Sequence, residues 1–258
     1  MMRNLSAAEL LKVWERTLDR SSVHQALELL ANAFPECSPE QLARLSIGQR
    51  DTLLLKLREY LFGTRLESLA ACPQCRQQIE LIFSTSDIRA EPTLPAIDDP
   101  ADTTMSLTME GYKVDFRPPN STDLIAMEAG ITADHTREQL LHQCIQSVAR
   151  IAENQEEAEI LDDIGQLPAS LLDTITERMA AADPQADTQL ALTCPDCGHT
   201  WRAMFDIVSY LMEEIHRWAR HMLREIHHLA RAYGWREADI LAMTPTRRRA
   251  YLELLGLS

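Results

Sequence analysis

Two tetrapeptides carry most of the chemistry this sequence offers: Cys72-Pro-Gln-Cys75 and Cys194-Pro-Asp-Cys197. Two cysteines at this spacing on a tight turn can aim both sulfurs at one point, and thiolates are ligands for zinc. One pair supplies half of the four ligands that a structural zinc takes, with Zn–S near ~2.3 Å. Two pairs complete the tetrahedron and leave no position open for water or substrate. One zinc on Cys72, Cys75, Cys194 and Cys197 would thus hold a fold together and take no part in catalysis.

The elements around the cysteines fit such a role. Aligned without gaps, "CPQCRQQIELIF" and "CPDCGHTWRAMF" match Ile79 with Trp201, Leu81 with Ala203 and Phe83 with Phe205. Apolar runs, "LESLAA" and "TQLALT", precede the two motifs, so each half reads as strand, turn, strand. The expectation is a zinc ribbon split by the 118 residues between Cys75 and Cys194. Loop-closure entropy grows only logarithmically with length, so the long separation is no obstacle. Three weaker alternatives stay open. A redox Cys-x-x-Cys should open a helix, whereas β-type residues follow both pairs. Two disulfides need an oxidising compartment. Two metal-free turns are the third. Cys37 and Cys144 lack partner spacing and read as buried thiols.

The flanking segments are helical. "SAAE" (Ser6–Glu9) is a capping box, and Leu10, Leu11, Val13, Trp14 and Leu18 then share one face. Further helices are predicted near Val23–Ala33, after "SPEQ" at 38–41, and from Gly48 to Phe62. Residues 90–104, with three prolines and four acids, read as a linker. "MSLTMEGYKVDF" reads as a hairpin turning at Glu110-Gly111, followed by a helix through Leu124–Ala129 capped by Asn120 or Ser121. Residues 137–182 read as helical with an acidic interruption. The longest helix is predicted from Asp206 to Tyr233, with Leu211, Ile215, Trp218, Met222, Ile226, Leu229 and Tyr233 as its apolar stripe and Gly234 as its C-cap. Two short helices follow, the second opened by Thr244 and Pro245.

The predicted architecture is α+β and mainly α, with helices flanking a split zinc-ribbon-like hairpin core. Its parts are an N-terminal helical region (1–63), the split core (64–89 and 188–206), an inserted hairpin with helices (90–187) and a C-terminal helical region (207–258).

Other candidate sites are weaker. Glu225 and His228 form Glu-x-x-His, a spacing used in helical-bundle metal sites, with His221 on the same edge. The second copy that such a site needs is absent, since Glu213–His216 lies on the same helix. His199 follows Cys197 and could replace a thiolate, but four cysteines already complete the set. The six acids from Glu153 to Asp163 lack the bend glycine of a calcium loop and read as solvated. No nucleophile elbow, phosphate loop, dinucleotide fingerprint or His-Glu-x-x-His occurs, and eight glycines leave little for phosphate cradles. These absences argue against the common enzyme classes.

Charge narrows the partners. The net charge is −14, yet Trp201–Ser258 holds nine arginines against seven acids, so the first 200 residues carry −16. An acidic body disfavours phosphate backbones and argues against nucleic acid as a ligand. Only Lys12, Lys56 and Lys113 are lysines; the remaining cations are arginines, suited to bidentate carboxylate contacts. No apolar run is long enough to span a membrane, and the N-terminus has charges within its apolar positions, unlike a signal peptide. A soluble intracellular protein is the expectation.

Four stretches, in order, carry a resemblance: "LREYLFGTRLESLAACPQC", "GYKVDFRPPNSTDL", "LTCPDCGHTW" and "LREIHHLARAYGWREADILAMTPTRRRAYLELL". Over about Leu53–Leu255 the chain resembles the T4-type baseplate protein family of contractile phage tails and related injection systems, which includes hub components and hub-assembly factors. The resemblance implies no enzyme, no small-molecule substrate and no catalytic residues. It implies hub or wedge proteins as partners, and cytoplasmic assembly with the particle as a destination. The alternative expectation is a zinc-ribbon nucleic-acid or transcription adaptor.

Overall fold

The computed structural model describes residues 2–90, 104–130, 136–151, 158–160 and 167–257. The fold is α+β, with helices and small antiparallel sheets. The chain divides into two compact units, Met1–Glu36 with Asp206–Ser258, and Cys37–Phe205. Residues 91–103 of the expected linker 90–104, and all the acids of 153–163 except Glu159, lie outside the described residues.

The first unit is helical. α1 (Ala7–Thr17) starts at a capping box in which Glu9 N donates to Ser6 Oγ and Ser6 N donates to Glu9 Oε2. Those Ser6 bonds, with help from Arg3, hold the Glu9 carboxyl down at about 2. α2 (Ser22–Ala33) and α1 both pack on the long α9 (Ile207–Tyr233). α9 is capped by Asp206 Oδ1 accepting from Val208 N, and ends at left-handed Gly234. Its buried stripe is Leu211, Ile215, Ala219, Met222, Ile226 and Leu229. α10 (Glu237–Leu241) and α11 (Pro245–Leu254) close over it, placing Ile240 and Leu252 in one core with Leu11, Met222 and Leu229. Trp14 Nε1 donates to His216 Nδ1 at 3.1 Å. Leu18, expected on the apolar face of α1, is 50% exposed, because it lies at the C-cap beyond the last buried turn.

The second unit begins with α3 (Pro39–Arg44) and α4 (Ile47–Phe62), each opened by a Ser/Gln capping box. A hairpin of β1 (Arg65–Ala71) and β2 (Gln78–Ser84) leads into the short α5 (Thr85–Ile88). β3 (Met105–Met109) and β4 (Tyr112–Phe116) then form the second hairpin. Its two-residue turn needs positive φ twice, which Glu110 (53°) and Gly111 (78°) supply. α6 (Ser121–Gly130) is capped by Asn120, whose Oδ1 accepts from Thr122 N and Asp123 N. α7 (Thr136–Cys144) is followed by β5 (Ile145–Ile151) and β6 (Ala158–Ile160), giving an antiparallel sheet ordered β3-β4-β5-β6. α8 (Ala169–Ala182) covers this sheet, with Leu171, Ile175 and Met179 in one core with Leu107, Val114, Phe116 and Val148. The last hairpin is β7 (Gln189–Thr193) with β8 (Thr200–Met204).

Part of the stretch expected as helix, Ile145–Ile151, is therefore strand. The misleading signal is a β-bulge. Asp115 pairs with Ser147 and Phe116 with Ile145, so Gln146 is the extra residue. The bulge puts Ile145 and Val148 opposite the core residues Phe116 and Val114 at a spacing of three, which imitates helical periodicity.

The motif "FRPPNSTDL" also proves architectural. Arg117 grips Asp123 through both guanidinium nitrogens (2.6 and 2.8 Å), and Asp123 accepts from Asn120 N at 2.8 Å. Arg117 also donates to Gln143 O, while Ile47 N donates to Pro119 O. The starts of α4 and α6 and the end of α7 are thereby fixed to one loop.

Candidate metal centre

The two cysteine motifs occupy the turns of the first and last hairpins, and the local folding is the same in both. In the first, Cys72 N donates to Gln77 O and Arg76 N to Cys72 O, at 2.9 Å each. In the second, Cys194 N donates to His199 O at 2.8 Å and Gly198 N to Cys194 O at 3.0 Å. Each turn ends in a left-handed residue, Arg76 (φ 64°) and Gly198 (φ 71°).

The structure brings the two turns together. Sulfur to sulfur, Cys72 lies 3.7 Å from Cys197, and Cys75 lies 3.6 Å from Cys194. All four Sγ atoms lie within 4.8 Å of one another, a set able to hold a metal ion. Four sulfurs placed tetrahedrally at ~2.3 Å from an ion would be ~3.8 Å apart, so the donor set fits that geometry. Cys72 and Cys194 are buried, whereas Cys75 and Cys197 face solvent. Burial pushes the Cys72 thiol up, but the backbone N–H groups of Cys75 and Gln74 aimed at it bring it down to about 7. Backbone donors pointed at sulfur favour the thiolate, the form a metal binds; at Cys75 the Gln77 N–H acts the same way, but burial and the neighbouring sulfurs push that thiol up to about 12.

Further contacts join the two hairpins. The pattern of exposure alternates along all four strands, with Leu66, Leu81, Phe83, Leu190, Trp201 and Ala203 on the less exposed faces. Phe83 and Phe205 meet edge to face with centroids 5.7 Å apart. At the open ends Gln185 accepts from Ala90 N (2.7 Å) and donates to Ile88 O (3.1 Å) and Thr188 Oγ1 (2.7 Å). It thus ties the exit of one hairpin to the entry of the other. Sequence reasoning missed Gln185, because a single glutamine in "ADPQADTQ" gives no periodic or spacing signal. For the left-handed Arg76 a signal does exist, since the motif alignment sets it opposite Gly198.

The other candidates do not assemble a site. Glu225 accepts from Arg248 Nε at 3.0 Å and lies 3.1 Å from His221 Nε2, so its carboxylate is committed. His216 is engaged by Trp14. His227 and His228 meet ring edge to face. Among the described residues the four cysteines are the only group of three or more His, Cys, Asp or Glu placed to hold an ion. His199 stacks on Trp201. Cys144 is buried and its thiol is pushed up to about 12, chiefly by burial and then by the Asp123 charge. Cys37 is half-buried rather than buried. Arg248 is 4% exposed, because it reaches back to Glu225 and Met243 O.

The family model for the T4 bacteriophage base plate protein matches residues 7–212. The chain belongs to that family. The matched span covers both cysteine turns, all of the Cys37–Phe205 unit and the first residues of α9. Membership makes this a baseplate component of the phage-tail kind. No curated protein and no solved structure matches the chain. Among the described residues no helix is long and apolar enough to cross a membrane.

Proposed function

We propose that the chain is a non-enzymatic hub component, or hub-assembly factor, of a contractile phage tail or injection system, acting through contacts with other hub or wedge proteins. One structural Zn2+ per chain, on Cys72, Cys75, Cys194 and Cys197, clasps the first and last hairpins. The split ribbon core (64–89 and 188–206) then carries the segment 90–187 as an insertion between helical regions 1–63 and 207–258. Assembly takes place in the cytoplasm of the producing bacterium.

The observation that carries this reading is the family match over 7–212, which contains the whole four-cysteine set. Thiolates filling all four positions leave zinc no open site, so the metal serves rigidity rather than reaction. The adaptor reading is disfavoured by charge: residues 37–205 hold 27 acids against 13 cations and so carry the entire net −14. The test is genetic. A gene deletion should abolish assembled particles, with recovery by the wild-type gene and not by Cys72→Ser. Fully assembled, active particles from the deletion strain would refute the role.

A further inference from the structure

Four arginines lie along the outward side of α9: Arg217, Arg220, Arg224 and Arg231. Their steps of three, four and seven keep them on one helical face, opposite the stripe Leu211, Ile215, Met222, Ile226 and Leu229. At 1.5 Å per residue the row spans about 21 Å. All four are exposed, as are His227 and His228 beside them. Arg217 has only a marginal pairing, 4.0 Å from Glu213, with both side chains well exposed. Arg220, Arg224 and Arg231 meet no carboxylate among the described residues. Glu225, the only acid between Glu214 and Glu237, is 16% exposed and committed to Arg248.

The arrangement is not a by-product of a basic domain. The unit Met1–Glu36 with Asp206–Ser258 holds twelve cations and twelve acids, so its charges are sorted rather than in excess. Like charges at helical spacing cost the helix ~0.2–0.5 kcal/mol per neighbouring pair.

We propose that this ridge docks a carboxylate-rich segment of another protein. Guanidinium forks match carboxylates in a planar, bidentate way, and the ridge contains no lysine. Phosphate is matched equally well by the same forks, so the choice rests on the rest of the chain. The chain as a whole carries −14, which opposes a long polyanion such as a nucleic acid more than a short acidic segment of a protein. This inference rests on the reading of the chain as a protein-contact component, but its test does not depend on particle assembly.

The probe is a labelled poly-L-glutamate peptide long enough to span the ridge, with an oligothymidylate of equal length as comparison. Each is titrated into the full chain and into an Arg220→Ser/Arg224→Ser/Arg231→Ser variant by fluorescence anisotropy at several salt concentrations. The peptide should bind the wild type, weaken as salt rises, and lose about tenfold or more in affinity in the variant. The variant should stay folded and melt within a few degrees of the wild type, since all three side chains are exposed and relief of their mutual repulsion works against the lower helix propensity of serine. Equal binding of the peptide by both proteins would overturn the proposal. So would tighter binding of oligothymidylate, or wild-type self-association abolished by the variant, which would assign the ridge to nucleic acid or to a second copy. Failure of the peptide to bind, alongside a deletion strain without particles, would sink the ridge while leaving the baseplate role intact.

Discussion

Gly48 N donates to Asp183 Oδ2 at 2.8 Å across 135 positions of sequence, so the carboxylate ending α8 caps the first turn of α4. The backbones approach so closely that a Cβ on Gly48 would lie 2.2 Å from Asp183 Oδ1 and 2.9 Å from Ala186 N. Ala in place of Gly ordinarily stabilises a helix by ~0.5–1 kcal/mol. At this position Gly48→Ala should instead cost about 2–3 kcal/mol through overpacking and loss of the cap. The shift in urea midpoint gives the answer, and a variant as stable as wild type would show that the contact yields freely.

Metal analysis of the purified chain should return about one zinc, the full complement of a four-thiolate site. Cys72→Ser and Cys194→Ser should each empty it and lower stability by several kcal/mol, since zinc binding is coupled to folding. Cys37→Ser should retain the metal. If only one cysteine pair governed zinc content, the shared site would be wrong.

Arg76 adopts φ 64° where the matching turn has Gly198. A left-handed non-glycine residue is strained by ~1 kcal/mol, so Arg76→Gly should raise stability by about 0.5–1 kcal/mol with zinc content unchanged. Thermal unfolding of the zinc-loaded variant is the measurement, and a fall in melting temperature would contradict it.

Glu59 joins the end of α4 to α5. Oε1 accepts from Thr85 at 2.6 Å and from Arg89, and Oε2 accepts from Lys56 at 2.9 Å. Burial pushes its carboxyl up, but the bonds from Thr85, Lys56 and Arg89 together bring it below the ordinary 4.5. A depressed carboxylate adds stability that is present above its unfolded pKa and lost as pH falls through the folded one. The wild type should therefore lose this contribution below pH ~4.5. Glu59→Gln should cost about 1–3 kcal/mol at neutral pH and show a shallower acid-side decline. Urea titrations at neutral and acid pH compare the two.

Arg248 is 4% exposed and its guanidinium Nε donates to Glu225 Oε2 at 3.0 Å. Removing one partner strands a buried charge, so Glu225→Ala should cost about 2–4 kcal/mol. Adding Arg248→Met should recover much of that loss, because a paired deletion leaves no unmatched charge. A double variant weaker than Glu225→Ala would reverse the interpretation.

What was legible in the sequence followed from local rules. Ser6, Ser38 and Thr244 announced helix starts, Glu110-Gly111 announced its turn, and matched alternation around the cysteines announced two hairpins. The proximity of the four sulfurs followed from ligand arithmetic. The bulge at Gln146 defeated periodicity, because the extra residue converts a spacing of two into three. Gln185, the Gly48–Asp183 contact and the Arg248–Glu225 pair are tertiary facts, which no window of neighbouring residues encodes. In "FRPPNSTDL" the residue types are distinctive, but Arg117 gripping Asp123 emerges only once both termini of the loop are in place.

Cys75 and Cys194 sit 3.6 Å apart yet 119 positions apart along the chain. At the ~5–20 residues per second of translation, the first turn leaves the ribosome about 6–24 s before its counterpart exists. During that interval its thiols are a half-built ligand set, open to any competing ion or oxidant. The order of birth thus makes the intervening segment a timer: it must be made before the two turns can meet.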